Sequence, residues 1–177
     1  MIFSPTEIAG VWIIDLEKRI DERGFFARTW CHREFQRHGL NCGLVQCNTS
    51  RSNYRGTLRG MHYQAAPHEE AKLVRCTRGS IFDVVLDLRP ESPTFRRWIS
   101  AELSEDNSRM IYVCEGCAHG FQTLSNDTEV TYLMSESFYP DSARGVRWDD
   151  PAFSIQWPAC ERRLLSDRDA AYPDFGC

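Results

Sequence analysis

AKLVRCTRGSIFDVVLDL, residues 71–88, sets two apolar, β-branched runs back to back across Thr-Arg-Gly-Ser. Short runs of this composition, bounded by turn residues, read as strands. Outward from this stretch the same unit recurs. GVWIIDL (10–16), GLVQCNTS (43–50) and TLRGMHYQ (57–64) precede it, and TFRRWISAEL (94–103), RMIYVCEG (109–116), HGFQTLS (119–125) and TEVTYLMSE (128–136) follow. LRPESPT (88–94) and EDNS (105–108) divide them with Pro, Asn, Asp and Ser, which favour turns each for its own backbone reason. One helix is predicted over His32–His38, stopped by Gly39, and another helical turn after Ser166. Many short strands need a sandwich or barrel to cover their edges. The expectation is an all-β domain over residues 1–177, a sandwich or barrel with a few short helices.

Bulk properties narrow the function. Hydrophobic residues make up 42% and charged residues 26% of the 177-residue chain, ordinary for a globular protein. Lys and Arg number 21 against 25 Asp and Glu, a net charge of −4, so a nucleic-acid face, which needs a basic surplus, is not expected. Local basic clusters remain free to bind a small phosphorylated ligand. The opening MIFSPTEIAGVWIIDLEK has no basic residue before Lys18 and does not read as a secretory signal. No segment approaches the roughly 18 apolar residues of a membrane span. A cytoplasmic protein without a membrane partner is the expectation. Eight cysteines then read as thiols rather than a disulfide framework. Cys114 and Cys117 form a CxxC without a second pair, so zinc would need His119 or a distant cysteine to complete its shell.

Several residues in these runs can carry chemistry, and each also has an ordinary structural reading. His62 stands in the alternation Leu58, Gly60, His62, Gln64, opposite Arg59, Met61 and Tyr63. As a base it needs a partner, because the hydrogen bond at one ring nitrogen sets the tautomer at the other. Asp83 interrupts an apolar run, where an unpaired carboxylate is expensive. Asp169 closes Ser166-Asp167-Arg168-Asp169, a spacing that also makes a capping box. Lys72 is a strand-edge lysine or a fixed cation, Tyr132 a core tyrosine with its hydroxyl at the rim or a proton donor. His119 lies between small residues at a tight corner; Arg23 and Arg59 suit either phosphate or surface acids.

GTLRGMHYQ (56–64), then AKLVRCTRGSIFDVVLDLRPESPTF (71–95), then ELSEDNSRMIYVCEGCAHGFQTL (102–124) resemble, in this order, the dTDP-4-dehydrorhamnose 3,5-epimerase family. DERGFFARTW (21–30) and RGVRWDDPAFSIQWPACERRLLSDRD (144–169) are similar to it as well, so the resemblance covers nearly the whole chain. It implies a cupin-type β jelly roll, a homodimer with shared active sites, and epimerisation at C3, C5 or both of a nucleotide-linked 4-keto-6-deoxyhexose, with no metal and no cofactor. The residues agree on the metal. Cupin metal sites usually present two histidines two apart, and here Tyr63 and Gln64 follow His62.

By the same resemblance His62 is the base, with Asp169 as its orienter and Asp83 the second choice. Tyr132 is the acid on the opposite face of the sugar, and Lys72 stabilises charge on O4. Arg23, Gln46, Asn48, Arg59 and His119 grip the nucleotide, with Arg23 reaching the neighbouring subunit, and Phe138 stacks on the base. The chain departs from the family at Arg28 and Ala143, where members usually carry glutamate, and at Cys114 and Cys117, which replace proline and phenylalanine. A relative using CDP- or GDP-linked sugars, a non-catalytic sugar-nucleotide-binding cupin and a metal-dependent cupin enzyme are the competing readings.

Overall fold

The run around Asp83 folds as a strand covered on both faces, which is why it is apolar almost throughout. In a computed structural model, which describes residues 1–176, it is strand β8 of a two-sheet sandwich. In chain order the elements begin β1 (Ile2–Pro5), β2 (Trp12–Asp15), β3 (Arg19–Asp21), β4 (Gly24–Phe26), α1 (His32–Arg37) and β5 (Gln46–Ser52). The central strands are β6 (Leu58–Gln64), β7 (Lys72–Arg78), β8 (Ser80–Asp87), β9 (Trp98–Ser104) and β10 (Met110–Val113). β11 (Cys117–Thr123), β12 (Thr128–Met134), β13 (Ala143–Gly145) and α2 (Asp167–Ala170) complete the described residues. One sheet runs β1-β2-β10-β7-β12-β5 and the other β13-β6-β11-β8-β9, while β3 and β4 form a separate hairpin. The fold is the cupin-type jelly roll that the sequence implies.

Between the sheets lies the main core, including Ile14, Leu73, Val85, Leu103, Ile111 and Phe121. Each such buried aliphatic or aromatic side chain contributes about 1.5–3 kcal/mol relative to exposure. Met61, Val84, Leu86 and Ala118 point the other way, into a second cluster that the C-terminal residues Val146, Phe153 and Ile155 cover. Alternation along β8 therefore sends Ile81, Asp83 and Val85 inward and Val84 and Leu86 outward, into two apolar layers.

All nine strands expected from the runs above are present. TFRRWISAEL begins its strand only at Trp98, because Arg96 takes a positive φ of 64° in the preceding turn. Missing from the expectation are β1, β3, β4 and β13, each of three or four residues and too short to show a period. Helix α1 ends as Gly39 foretells: Gly39 N–H donates to Gln36 O and Leu40 N–H to Phe35 O, with Gly39 at φ 68°, so the glycine caps the last turn.

One departure in β6 decides where the chemistry sits. Strict alternation puts Arg59 on the face opposite His62, but His119 of β11 pairs with His62 while Phe121 pairs with Arg59. Three steps on β6 thus match two on β11, a bulge that returns Arg59 and His62 to one face. Gly60, at φ 132°, makes this possible: a Cβ there would lie 2.5 Å from Gly120 Cα and 3.0 Å from His119 O. Gly60→Ala is expected to destabilise the protein by more than about 2 kcal/mol, read as a fall in denaturation midpoint, since both backbone angle and space are wrong for alanine. A midpoint unchanged from wild type would show that the bulge tolerates a side chain.

Candidate active site

The inner faces of both sheets line a cleft of about 800 Å³. From the five-stranded sheet come Arg59 and His62 on β6 and His119 on β11; from the six-stranded sheet come Gln46 and Asn48 on β5, Lys72 on β7 and Tyr132 on β12. Phe138 stands exposed at the cleft wall, and Asp169 enters from α2. Nine of the eleven residues singled out in the sequence are therefore together, and Arg23 and Asp83 are the exceptions.

Two histidine–carboxylate pairs organise the interior. His62 Nε2–H donates to Asp169 Oδ1 at 2.7 Å, while Asp169 Oδ2 accepts from Gly60 N–H at 3.2 Å. Burial works to raise the Asp169 carboxyl, but the hydrogen bond and charge of His62 and the Gly60 amide outweigh it and hold the group below its ordinary value. The ionised carboxylate fixes hydrogen on Nε2 and leaves Nδ1 able to take a proton. The sequence left open whether Asp169 caps a helix or orients a histidine, and it takes part in both. Its backbone N–H donates to Ser166 Oγ at 3.1 Å, and its side chain, instead of closing a capping box, turns to His62.

Asp83 corrects the second choice for that orienter. Fully buried on β8, its Oδ2 lies 2.8 Å from His119 Nε2, so it serves the other histidine and does not hydrogen-bond His62. Burial pushes its carboxyl up, against the opposing pull of His119 and the Lys72 charge.

Lys72 bridges the sheets. Its ammonium donates to His62 O at 3.3 Å and pairs with Glu70 Oε1 at 2.8 Å, both chains being largely buried. An ammonium has three N–H groups, so one remains for a ligand. Glu70 was not singled out in the sequence; an acid two residues before Lys72 was the only signal, and acidic flanks are usually solvated. Tyr132 stands opposite Asn48 in the β5–β12 ladder, and burial raises its hydroxyl above the ordinary value, against the influence of Arg59.

Arg59 is held by Ser52 Oγ at 3.2 Å and Arg51 O at 3.1 Å, and among the described residues it pairs with no carboxylate. Arg144 and Arg168, not singled out in the sequence, also line the cleft, giving it a cationic wall despite the chain's net charge of −4. Gln46 Oε1 accepts from Phe138 N–H at 3.2 Å, fixing the segment that carries this ring. Arg23 lies outside this cleft, exposed at the β3–β4 hairpin and bound to Asp21 at 2.6 Å. Arg28 is paired with Glu34 at 2.7 Å, whereas Ala143 is part of the cleft wall.

A model of the family described as dTDP-4-dehydrorhamnose 3,5-epimerase matches residues 5–176. The chain belongs to that family. A relative of this name from Sinorhizobium fredii is 43% identical over 99% of this chain and 90% of its own. The solved dTDP-4-dehydrorhamnose 3,5-epimerase of Elizabethkingia anophelis superposes with a TM-score of 0.95 at 37% identity, covering 99% of this chain and 96% of that one. The Legionella pneumophila 3,5-epimerase, solved in complex with dTDP-4-keto-L-rhamnose, gives 0.91 at 37% identity over 97% and 90%. The chain is accordingly an isomerase, epimerising a nucleotide-linked 4-keto-6-deoxyhexose at C3, C5 or both.

The epimerase's paired histidines can be told apart by NMR. Asp169→Asn is expected to move the His62 ring resonances and leave those of His119 nearly in place, with Asp83→Asn doing the reverse. The pH dependence has a definite sign. Asp169 is depressed in the folded state, so its stabilisation is complete above the ordinary carboxylate value of 3.8 and is lost as pH falls through the lower folded value. The stability gap between wild type and Asp169→Asn should therefore narrow below that pH, and a gap constant to pH 2 would contradict the pairing.

Proposed function

We propose that the epimerase inverts both C3 and C5 of a dTDP-linked 4-keto-6-deoxyglucose, with His62 as base and Tyr132 as the acid on the opposite face. The observation that carries the reading is the placement of an oriented imidazole and a half-buried tyrosine on facing sheets of one cleft. A C4 ketone acidifies the hydrogens at C3 and C5. Nδ1 of His62 removes one, an enolate forms, and the Tyr132 hydroxyl returns a proton from the other side. Inversion requires this separation, because a single group would return the proton to the face it came from. The raised Tyr132 hydroxyl stays protonated at neutral pH and so is present as a donor. The remaining N–H of Lys72 stabilises the charge growing on O4.

Arg59, unneutralised at the cleft wall, suits the diphosphate. His119, kept in place by Asp83, and Gln46 and Asn48 complete the grip, and Phe138 stacks on the base. The dTDP assignment draws on the ligand of the Legionella relative. CDP- and GDP-linked sugars are the alternatives to test, since Ala143 leaves the cleft wall without the carboxylate usual at that position.

Arg23 completes the site of a second copy in a homodimer. The hairpin that carries it exposes Ile20 and Phe26 at 80% and 72%, apolar surface that a partner would cover. Seven described cysteines are free, as a reducing cytoplasm would keep them.

Incubation with the dTDP-linked substrate in deuterated water is expected to place label at both C3 and C5, with inverted product. His62→Ala should lower exchange by at least about 10²-fold while nucleotide affinity stays within a few-fold. Exchange at the wild-type rate in that variant would remove His62 from the role of base, and label at one carbon would restrict the activity to that centre. For the shared site, mixing Arg23→Ala with Lys72→Ala protein should restore activity, since one site of each mixed dimer is then intact. No recovery despite verified subunit exchange would place Arg23 in its own subunit's cleft or outside any site.

A further inference from the structure

We propose that Cys114 and Cys117 are a peroxide-sensitive dithiol that closes to an intramolecular disulfide, at a site separate from the cleft. The two residues bracket the turn between β10 and β11, Cys114-Glu115-Gly116-Cys117, with Gly116 at φ 78°. The first and fourth residues of such a turn lie within about 7 Å, and a disulfide spans Cα atoms about 4.4–6.8 Å apart, so closure needs little backbone movement. Both thiols are free and their sulfurs are 3.6 Å apart.

A fixed cation lies beside them. Arg89 Nη1 is 3.5 Å from Cys114 Sγ, and its Nε and Nη2 are each anchored at 2.8 Å by the Asp87 carboxylate. Asp87 is itself held by Ser92 and Thr94 hydroxyls at 2.5 and 2.7 Å. A Cβ at Gly116 would lie 2.6 Å from Arg89 Cγ, so the glycine also lets the arginine lie across the turn. The Cys117 thiol donates to Cys114, and this bond together with the Arg89 charge depresses Cys114 in spite of burial. Cys117 is pushed up by the same bond and by burial. Cys114 is thus the attacking sulfur and Cys117 the resolving one.

Burial selects the oxidant. The residues are 8% and 3% exposed, which suits a molecule as small as hydrogen peroxide. The Cys114 thiolate attacks one peroxide oxygen; an S–O bond forms, the O–O bond breaks, and hydroxide leaves to be protonated to water. Cys117, losing its proton, then attacks the Cys114 sulfur; the S–S bond forms, the S–O bond breaks, and a second water departs. Two electrons pass from the sulfurs to one peroxide. Neither sulfur lines the cleft, so closure does not require substrate and does not block it.

The test uses the full chain. Native protein is exposed to hydrogen peroxide, quenched, denatured, blocked with iodoacetamide and digested with trypsin. Residues 110–144 form one tryptic peptide holding both cysteines and no other. The expected result is loss of both blocking groups together with two hydrogens, reversed by dithiothreitol. In Cys117→Ser the reaction should stop at a Cys114 sulfenic acid trapped by dimedone, and Cys114→Ser should leave Cys117 unmodified at the same dose. A wild-type peptide that keeps both blocking groups while Cys31, Cys42, Cys47 or Cys160 is oxidised would overturn the proposal. So would oxidation of Cys117 in Cys114→Ser at the wild-type rate.

Discussion

β6 and β11 meet where Gly60 and Gly120 face each other with no side chain between them, and the site is arranged around that contact. The approach takes up an extra residue on β6, and the extra residue brings Arg59 onto the face that His62 occupies. An ordinary ladder would send one of the two into the apolar layer under Val146 and Phe153, where a guanidinium or an unpaired imidazole is costly to bury. The same irregularity turns Gly60 N–H toward Asp169, so the amide that the ladder gives up helps hold the carboxylate. Backbone geometry, charge placement and the tautomer of His62 thus follow from one close approach.

The carboxylates show how the interior sustains charge. Asp83 and Asp169 each face a histidine, but their surroundings push them in opposite directions. Asp83 is enclosed by a sheet with apolar layers on both faces, so burial dominates. Asp169 sits at the edge of a short helix, where an amide and an imidazole donate to it. On the proposed assignment this difference suits their tasks. A firmly ionised Asp169 keeps Nδ1 of His62 open to a proton, while the Asp83 pair only has to hold His119 still.

The fold was legible because its strands are long enough to show a period and its turns carry Pro, Gly, Asn and Asp at the needed places. β13 was not, since Ala143–Gly145 offers three residues without a repeating pattern and becomes a strand only by pairing with β6. For the cleft, resemblance located most residues, whereas spacing alone left each with two readings. Period-2 reasoning misplaced Arg59, because a bulge is invisible to a counting rule unless the glycine that permits it is weighed. Glu70 escaped notice because an acid two residues from a lysine is ordinarily solvated, and only the folded cleft shows both side chains buried.

A sandwich also explains why an overall acidic chain can hold a diphosphate-bearing ligand. Net charge averages over a surface where some outer cations are paired with neighbouring acids, as Arg51 is with Asp127 and Arg147 with Asp149. Inside the cleft the balance differs: Arg59, Arg144 and Arg168 pair with no carboxylate among the described residues, while Asp169 is turned inward to His62. A low-dielectric wall strengthens what remains. On the proposed assignment, two facing sheets provide what inversion requires, since a ring lying between them presents one face to β6 and the other to β12. Lys72, rising from the second sheet to the first through His62 O, ties the two halves together, and on the same assignment does so where negative charge develops on O4.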